Sequence, residues 1–168
     1  LLLAFLFLVS SAPPLSFFLT FRPTPCDSTK CSAAASDVYM SLILDDVQLI
    51  AVVCASSNLK RDSYKVTTLI RDYGFDIFPV NPNLANTKIL GQKCYENLEA
   101  IEEKIDMVDV FRAIEHIPSI AHETIKIKAK ILWMQEGLYS KEVESIAKNV
   151  GLTVVMNKCP KKILEKIK

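Results

Sequence analysis

Val47-Gln48-Leu49-Ile50-Ala51-Val52-Val53, running into Cys54-Ala55-Ser56-Ser57-Asn58, is the stretch that decides the fold. Its apolar residues are continuous rather than alternating, so it reads as a strand buried on both faces, as in a parallel sheet. The small polar residues that follow suit a tight turn. Ser63 is placed to cap a helix from Tyr64 to Tyr73, with Val66, Leu69 and Ile70 on one face. Gly74 ends that helix. Phe75 to Val80 reads as a second strand with Pro79 near its end, and Asn81-Pro82 must turn or extend the chain.

The alternation continues downstream. Residues 83–104 are loop-rich, with a short strand within Lys88–Tyr95 and a helical turn near Leu98. Asp106 to Phe111 is the next strand. Pro118 then sits in the first turn of a helix reaching Lys128, with Ile120, Ile125 and Ile127 among its apolar positions. Lys130 to Met134 is another strand. Ser140 opens and Gly151 closes an amphipathic helix carrying Val143, Ile146, Ala147 and Val150. Leu152 to Met156 is the last strand, and Pro160 begins a short Lys-rich helix. This succession predicts a single α/β domain, three-layered and doubly wound, with a mostly parallel, Rossmann-like sheet.

Composition narrows the function classes. Of 168 residues 50% are hydrophobic, enough for a sizeable core and too many for global disorder. Twenty Lys and Arg against 19 Asp and Glu leave a net charge of +1. So balanced a chain has no strong electrostatic footprint for nucleic acid or for an anionic membrane. The cysteines at 26, 31, 54, 94 and 159 form no Cys-x-x-Cys pair, and His116 and His122 are the only histidines. No metal site is expected, and free thiols fit a reducing, cytoplasmic setting for the core.

The first 45 residues differ. Leu1–Val9 is nearly pure apolar sequence, followed by Ser10-Ser11-Ala12-Pro13-Pro14 and a second apolar run, Leu15–Leu19. The first run is too short to span a bilayer, which takes about 20 apolar residues. It suits a signal-peptide core or an organelle leader, and so organellar or secretory targeting; the competing reading is non-native sequence from an upstream reading frame. Nothing between Phe21 and Asp37 holds a strand or helix period. Residues 1–45 are therefore assigned to a leader or disordered extension and 46–168 to the folded domain.

In open α/β sheets, ligands bind beyond the carboxyl ends of the strands at the switch point. The loop after the first strand feeds a helix N-terminus, where backbone N–H groups and the helix dipole suit a phosphate. Ser56, Ser57 and Asn58 add donors, and Lys60, Arg61 and Lys65 add charge. Singly, each is better explained as part of a solvated connection; as a cluster they favour phosphate. The Gly-x-Gly-x-x-Gly fingerprint is missing, and the second strand ends in Pro79-Val80-Asn81-Pro82 without the acidic residue that holds a ribose. An ordinary nicotinamide-dinucleotide enzyme is disfavoured.

Six segments now carry a resemblance. They are Ala51-Val52-Val53-Cys54-Ala55-Ser56, Pro79-Val80-Asn81-Pro82, Leu90-Gly91-Gln92-Lys93-Cys94-Tyr95, Asp106-Met107-Val108-Asp109-Val110-Phe111-Arg112, Trp133-Met134-Gln135-Glu136-Gly137 and Met156-Asn157-Lys158-Cys159-Pro160. In this order and spacing the set resembles the small stand-alone CoA-binding domain proteins, relatives of the nucleotide-binding domain of succinyl-CoA synthetase α subunits. It covers about residues 46–163. The resemblance implies coenzyme A, free or acylated, as the ligand. It implies Ala55, Ser56 and Ser57 at the pyrophosphate, with Lys60 or Arg61 beside it. Val80, Asn81 and Pro82 would flank the adenosine, Arg112 would approach a phosphate or polar group, and Gln135 with Gly137 would line the opposite rim. Three positions depart from the family pattern: Cys54 stands for Gly, Asn83 for Lys, and Glu136 for an apolar residue. Cys54 adds bulk and Glu136 a like charge near the phosphate, so weakened binding is expected.

Catalytic residues are not expected. His116 and His122 read as solvated histidines on a surface helix or its lead-in, away from the cleft. Asp109 reads as a buried residue that organises loops, and Trp133 as core. Cys159 adjoins Lys158, a cation able to lower a thiol pKa, yet a structural role is the better reading. No Ser/His/Asp or Cys/His arrangement is legible at the strand ends. The leading expectation is a CoA-binding module without catalysis of its own. The alternatives are an acyl-CoA-using enzyme or a subunit of one, and a degenerate Rossmann domain serving as an interaction module.

Overall fold

Leu49–Val53 forms the first strand, β1, and four of its five residues are buried. It can be so apolar because it has neighbours on both edges and helices over both faces. In the computed structural model, which describes residues 33–167, β1 pairs in parallel with β2 (Asp76–Val80) on one edge. On its other edge it pairs in parallel with Met107–Val110. Between these lies a small antiparallel hairpin, β3 (Lys88–Ile89) and β4 (Gln92–Lys93), which makes Met107–Val110 strand β5. Strands β6 (Ile131–Met134) and β7 (Thr153–Val155) extend the sheet in the order β2-β1-β5-β6-β7, every pairing parallel. Pro79 pairs with Val52 but sits on the edge strand, where a missing N–H costs no ladder bond.

Among the described residues, five α-helices accompany the sheet. These are α1 (Ala33–Asp45), α2 (Asp62–Asp72), α3 (Ile117–Lys126), α4 (Lys141–Val150) and α5 (Pro160–Ile167). One face of the sheet, with Ile50, Val52, Met107 and Trp133, packs on Val66 and Ile70 of α2 and on Ile163 and Leu164 of α5. The other face, with Ala51, Val108, Val110 and Leu132, packs on Ile117 and Ile120 of α3 and Val143 of α4. The architecture is therefore the three-layered, doubly wound parallel sheet that the sequence predicts.

Local signals were honoured at α4, where the Ser140 hydroxyl accepts from the Val143 N–H at 3.3 Å and Gly151 closes the helix at φ +75°. They failed at α2. Ser63 is not its cap: Arg61 occupies that position, the helix starts at Asp62, and Ser63 lies inside its first turn. The Asn58 carboxamide explains the earlier start, since its Oδ1 accepts the Lys60 N–H at 2.9 Å while the Asn58 carbonyl accepts Arg61 N–H at 3.0 Å.

A second difference concerns residues 33–45, expected outside the fold. They form α1, and Leu44 is only 3% exposed, within the same cluster as Ile163 and Leu164. The apolar residues of α1 do not make one stripe: Val38 and Leu42 face solvent while Leu44 is buried. That is why no helical period was legible. The expectation for residues 1–32 lies outside the described residues. Among the described residues no helix is long and apolar enough to cross a membrane.

Candidate functional site

The chain leaves β1 through α2 on one face and leaves β5 through α3 on the other, so the loops after Val53 and Val110 part. This is the switch point of the sheet, where α/β folds bind ligands. It holds an open cleft of about 510 Å³. Cys54, Lys60, Arg61, Asp62 and Ser63 line one wall, with Asp62 paired to Lys65 at 3.3 Å; Phe111, Arg112, Ala113 and His116 line the other. A smaller depression of about 370 Å³ lies at the opposite end of the sheet, between Lys128–Lys130 and Gly151–Thr153. It is at the amino ends of β6 and β7, the wrong end for this class of fold.

The β1 loop is shaped from within. Cys54 turns the chain at φ +62°, and its N–H donates to the Val80 carbonyl at 2.8 Å. Ser56, nearly buried, uses its Oγ to accept the Asn58 N–H at 3.1 Å. Ser57 is exposed at the tip. The loop then enters α2 with Lys60 and Arg61 exposed ahead of its first turn. Ser63 is 6% exposed, lines the cleft, and its hydroxyl has no partner among the described residues. A free hydroxyl at a helix start beside two cations is a ready anion donor.

Asn81 braces this loop from the side. Its Nδ2 donates to the Ala55 carbonyl at 2.8 Å and its Oδ1 accepts the Asn83 N–H at 3.0 Å. Val80 is buried and Pro82 is exposed at the start of a 3-10 turn. Tyr95 pairs alongside, donating to the Pro79 carbonyl and accepting from the Asn81 N–H. Ala55, Val80, Asn81 and Pro82 are thus held together at one flank of the cleft.

Across the cleft, Arg112 Nη1 donates to Cys54 Sγ at 3.2 Å, a contact that pushes the guanidinium pKa further up. One residue before the end of β5, Asp109 is wholly buried. Its Oδ1 accepts from Gln135 Nε2 at 2.6 Å, while Oδ2 has no partner. Burial, only partly opposed by Gln135 and the Val110 N–H, pushes this carboxyl up to about 7. Gln135 is therefore tied to the sheet interior. Gly137 donates its N–H to Asn157 Oδ1 at 2.8 Å, joining the loops after β6 and β7. Trp133 is core, as expected, and its Nε1 donates to the Lys158 carbonyl at 2.8 Å.

Of the residues named from sequence, Lys60, Arg61 and Arg112 line one cleft, whereas Gln135 is bonded to Asp109 and Gly137 to Asn157. One expectation needs correction. His116 lines the cleft rather than lying away from it, because a 3-10 turn at Ile114–His116 carries it back over the strand ends. Burial pushes the Cys159 thiol up, and the N–H groups of Lys161 and Lys162 only partly oppose this, which accords with the structural role preferred for it. Glu136 does not stand alone: Lys162 Nζ reaches both its oxygens at 2.7 and 2.8 Å. Ser63 and His116 were the residues missed, and both depend on where a helix turn begins.

Comparison with known proteins agrees with this geometry. The profile of a family described as a CoA binding domain matches residues 48–165. An uncharacterized protein of Bacillus subtilis, YneT, is 38% identical over 119 residues, covering 71% of this chain and 87% of that protein. An ADP-forming acetate–CoA ligase II of Archaeoglobus fulgidus is 28% identical over 117 residues, 62% of this chain but only 17% of the ligase. Among solved structures, a hypothetical protein from Pyrococcus horikoshii OT3 superposes with a TM-score of 0.73 at 33% identity, over 77% of this chain and 90% of that one. With the sheet, the switch-point cleft and the matched span in agreement, this chain belongs to the CoA-binding domain family.

Proposed function

We propose that the protein binds coenzyme A, free or acylated, in the cleft between the β1 and β5 loops, without catalysis of its own. The observation that carries this is the meeting of Lys60, Arg61 and Arg112 with the unpartnered Ser63 hydroxyl at the start of α2. Fixed donors and three permanent cations suit phosphate oxygens better than any neutral ligand. The pyrophosphate lies over Ala55, Ser56 and Ser57 beside Lys60 or Arg61. The adenosine lies against Val80, Asn81 and Pro82, where Asn81 fixes the shape of the flank. Arg112 turns from Cys54 towards the ligand, and Gln135 and Gly137 contribute rim shape. The Lys162 pairing of Glu136 offsets the carboxylate, so that departure from the family weakens binding less than its charge implies.

The test is a thermal-shift panel of CoA, acetyl-CoA, NAD, NADP and ATP followed by calorimetry. A ligand at 100 times its Kd raises stability by about 2.7 kcal/mol, readily seen for a domain of this size. CoA and acetyl-CoA should stabilise and NAD should not; a response to NAD alone, or to nothing, would overturn the reading. The match to one part of a much longer acetate–CoA ligase favours a second reading, in which the domain serves as a subunit of an acyl-CoA-using enzyme. Turnover of acyl-CoA by the isolated chain, or only with a copurifying partner, would favour it.

A further inference from the structure

Cys54 is the one cysteine among the described residues that lines the cleft. The three described cysteines are free thiols. Cys94 is fully buried and burial pushes its thiol up, as it does for Cys159. Cys54 is half-buried, opens on the cleft, and its sulfur accepts from Arg112 at 3.2 Å. Lys60, Arg61 and His116 line the same cavity, along with Asp62, whose carboxylate is paired with Lys65. A second feature independent of the thiol marks the cavity as a ligand site, namely Ser63, a cleft-lining residue only 6% exposed whose hydroxyl has no partner among the described residues. Reactive cysteines occur in such partly exposed, electropositive surroundings.

We propose that Cys54 is a modification site for small anionic disulfides, drawn in by the Lys60, Arg61 and Arg112 charges, and that the adduct closes the cleft. The Cys54 thiol gives its proton to solvent, and the sulfur attacks one sulfur of the disulfide. A Cys54–S bond forms, the original S–S bond breaks, and its electron pair leaves with the other half, which takes up a proton as the free thiol. Cys54 is oxidised and the disulfide is the oxidant, so no further reagent is required. An excess of small thiol reverses the step. The inference rests on the cleft but not on CoA being its ligand.

The test uses the full chain with two aromatic disulfides, the dianionic 5,5′-dithiobis(2-nitrobenzoate) and the uncharged 4,4′-dithiodipyridine. Rates at each cysteine are read by peptide mass spectrometry, and the quantity of interest is the anionic-to-uncharged rate ratio. At Cys54 this ratio should exceed that at Cys159 about tenfold at low salt, and should collapse near 0.5 M salt. It should fall in Arg112→Gln and in the Lys60→Ala/Arg61→Ala double variant, whose exposed loop positions keep the fold safe. Equal ratios at Cys54 and Cys159, or a ratio at Cys54 indifferent to salt and to the double variant, would overturn the proposal. Acetyl-CoA, which has no thiol to interfere, separates the two readings: if it leaves Cys54 labelling unslowed, the CoA reading fails while the modification site stands.

Discussion

Asp109 is the residue at which this fold bears an evident cost. It sits in β5 between Val52 and Trp133, wholly buried, with one carboxylate oxygen bonded to Gln135 and the other orphaned. A buried orphan acceptor is tolerable only if the group is neutral. Its pKa of about 7 stands above the ordinary value of 3.8, so the folded state holds the proton more tightly than the unfolded one. Stability from this residue is therefore full below pH 4 or so and is lost as pH rises through about 7. Asp109→Asn keeps an acceptor for Gln135 and removes the charge. Its melting temperature relative to wild type should rise steadily from pH 5 to pH 8; a gap that does not change with pH would refute the protonation argument. Cys54 is one of the non-glycine residues held at positive φ. Sequence alone marked it as a position suited to glycine, and its φ of +62° gives the reason. A left-handed conformation costs a non-glycine residue roughly 1–2 kcal/mol, and more when the side chain is β-branched. Cys54→Gly should then strengthen CoA binding, while Cys54→Val should weaken it and lower the melting temperature. Equal affinity across the three proteins, by calorimetry under reducing conditions, would mean the phosphate does not approach here.

Elements were legible where one physical signal dominated. The continuous apolar runs at Leu49–Val53 and Ile131–Met134 had to be central strands, since only two-sided burial accommodates them. The ends of α4 were legible because Ser140 and Gly151 act locally. The start of α2 was not, because the Asn58 turn that sets it competes with the Ser63 signal and wins by bonding two successive N–H groups. The site inherits that split. Lys60, Arg61 and Arg112 follow from strand ends alone, whereas Ser63 and His116 depend on the register of short turns that sequence does not fix. The functional consequence belongs to the N-terminus of α2. Lys60 and Arg61 are exposed, and no ion pair within the described residues holds either of them. Replacing both by Ala should weaken CoA binding about 10- to 100-fold and leave the melting temperature of the free protein unchanged, since the one charge-assisted bond that Lys60 or Arg61 makes to the pyrophosphate contributes about 1.5–3 kcal/mol. Unaltered affinity at fixed salt would move the phosphates away from this helix.

At the scale of the whole molecule, the three-layer order was legible because five buried strands leave few alternatives, but the extent of the domain was not. The boundary depends on one side chain. Leu44 closes the layer formed by α2 and α5, near the Tyr73 hydroxyl that donates to the Leu164 carbonyl at 3.0 Å. Met40 and Ile43 pack against the same cluster from α1. Full burial of a leucine contributes about 1.5–3 kcal/mol, and its loss from a domain of this size lowers the Tm by roughly 10 °C. A chain beginning at residue 46 should therefore fold cooperatively, because β1 to α5 are intact, but melt well below one beginning at residue 33. Leu44→Ala in the full chain separates loss of the side chain from loss of the helix, and should account for most of the difference. If both shortened chains melt together and Leu44→Ala is silent, α1 lies against the domain without stabilising it, and the fold begins at β1.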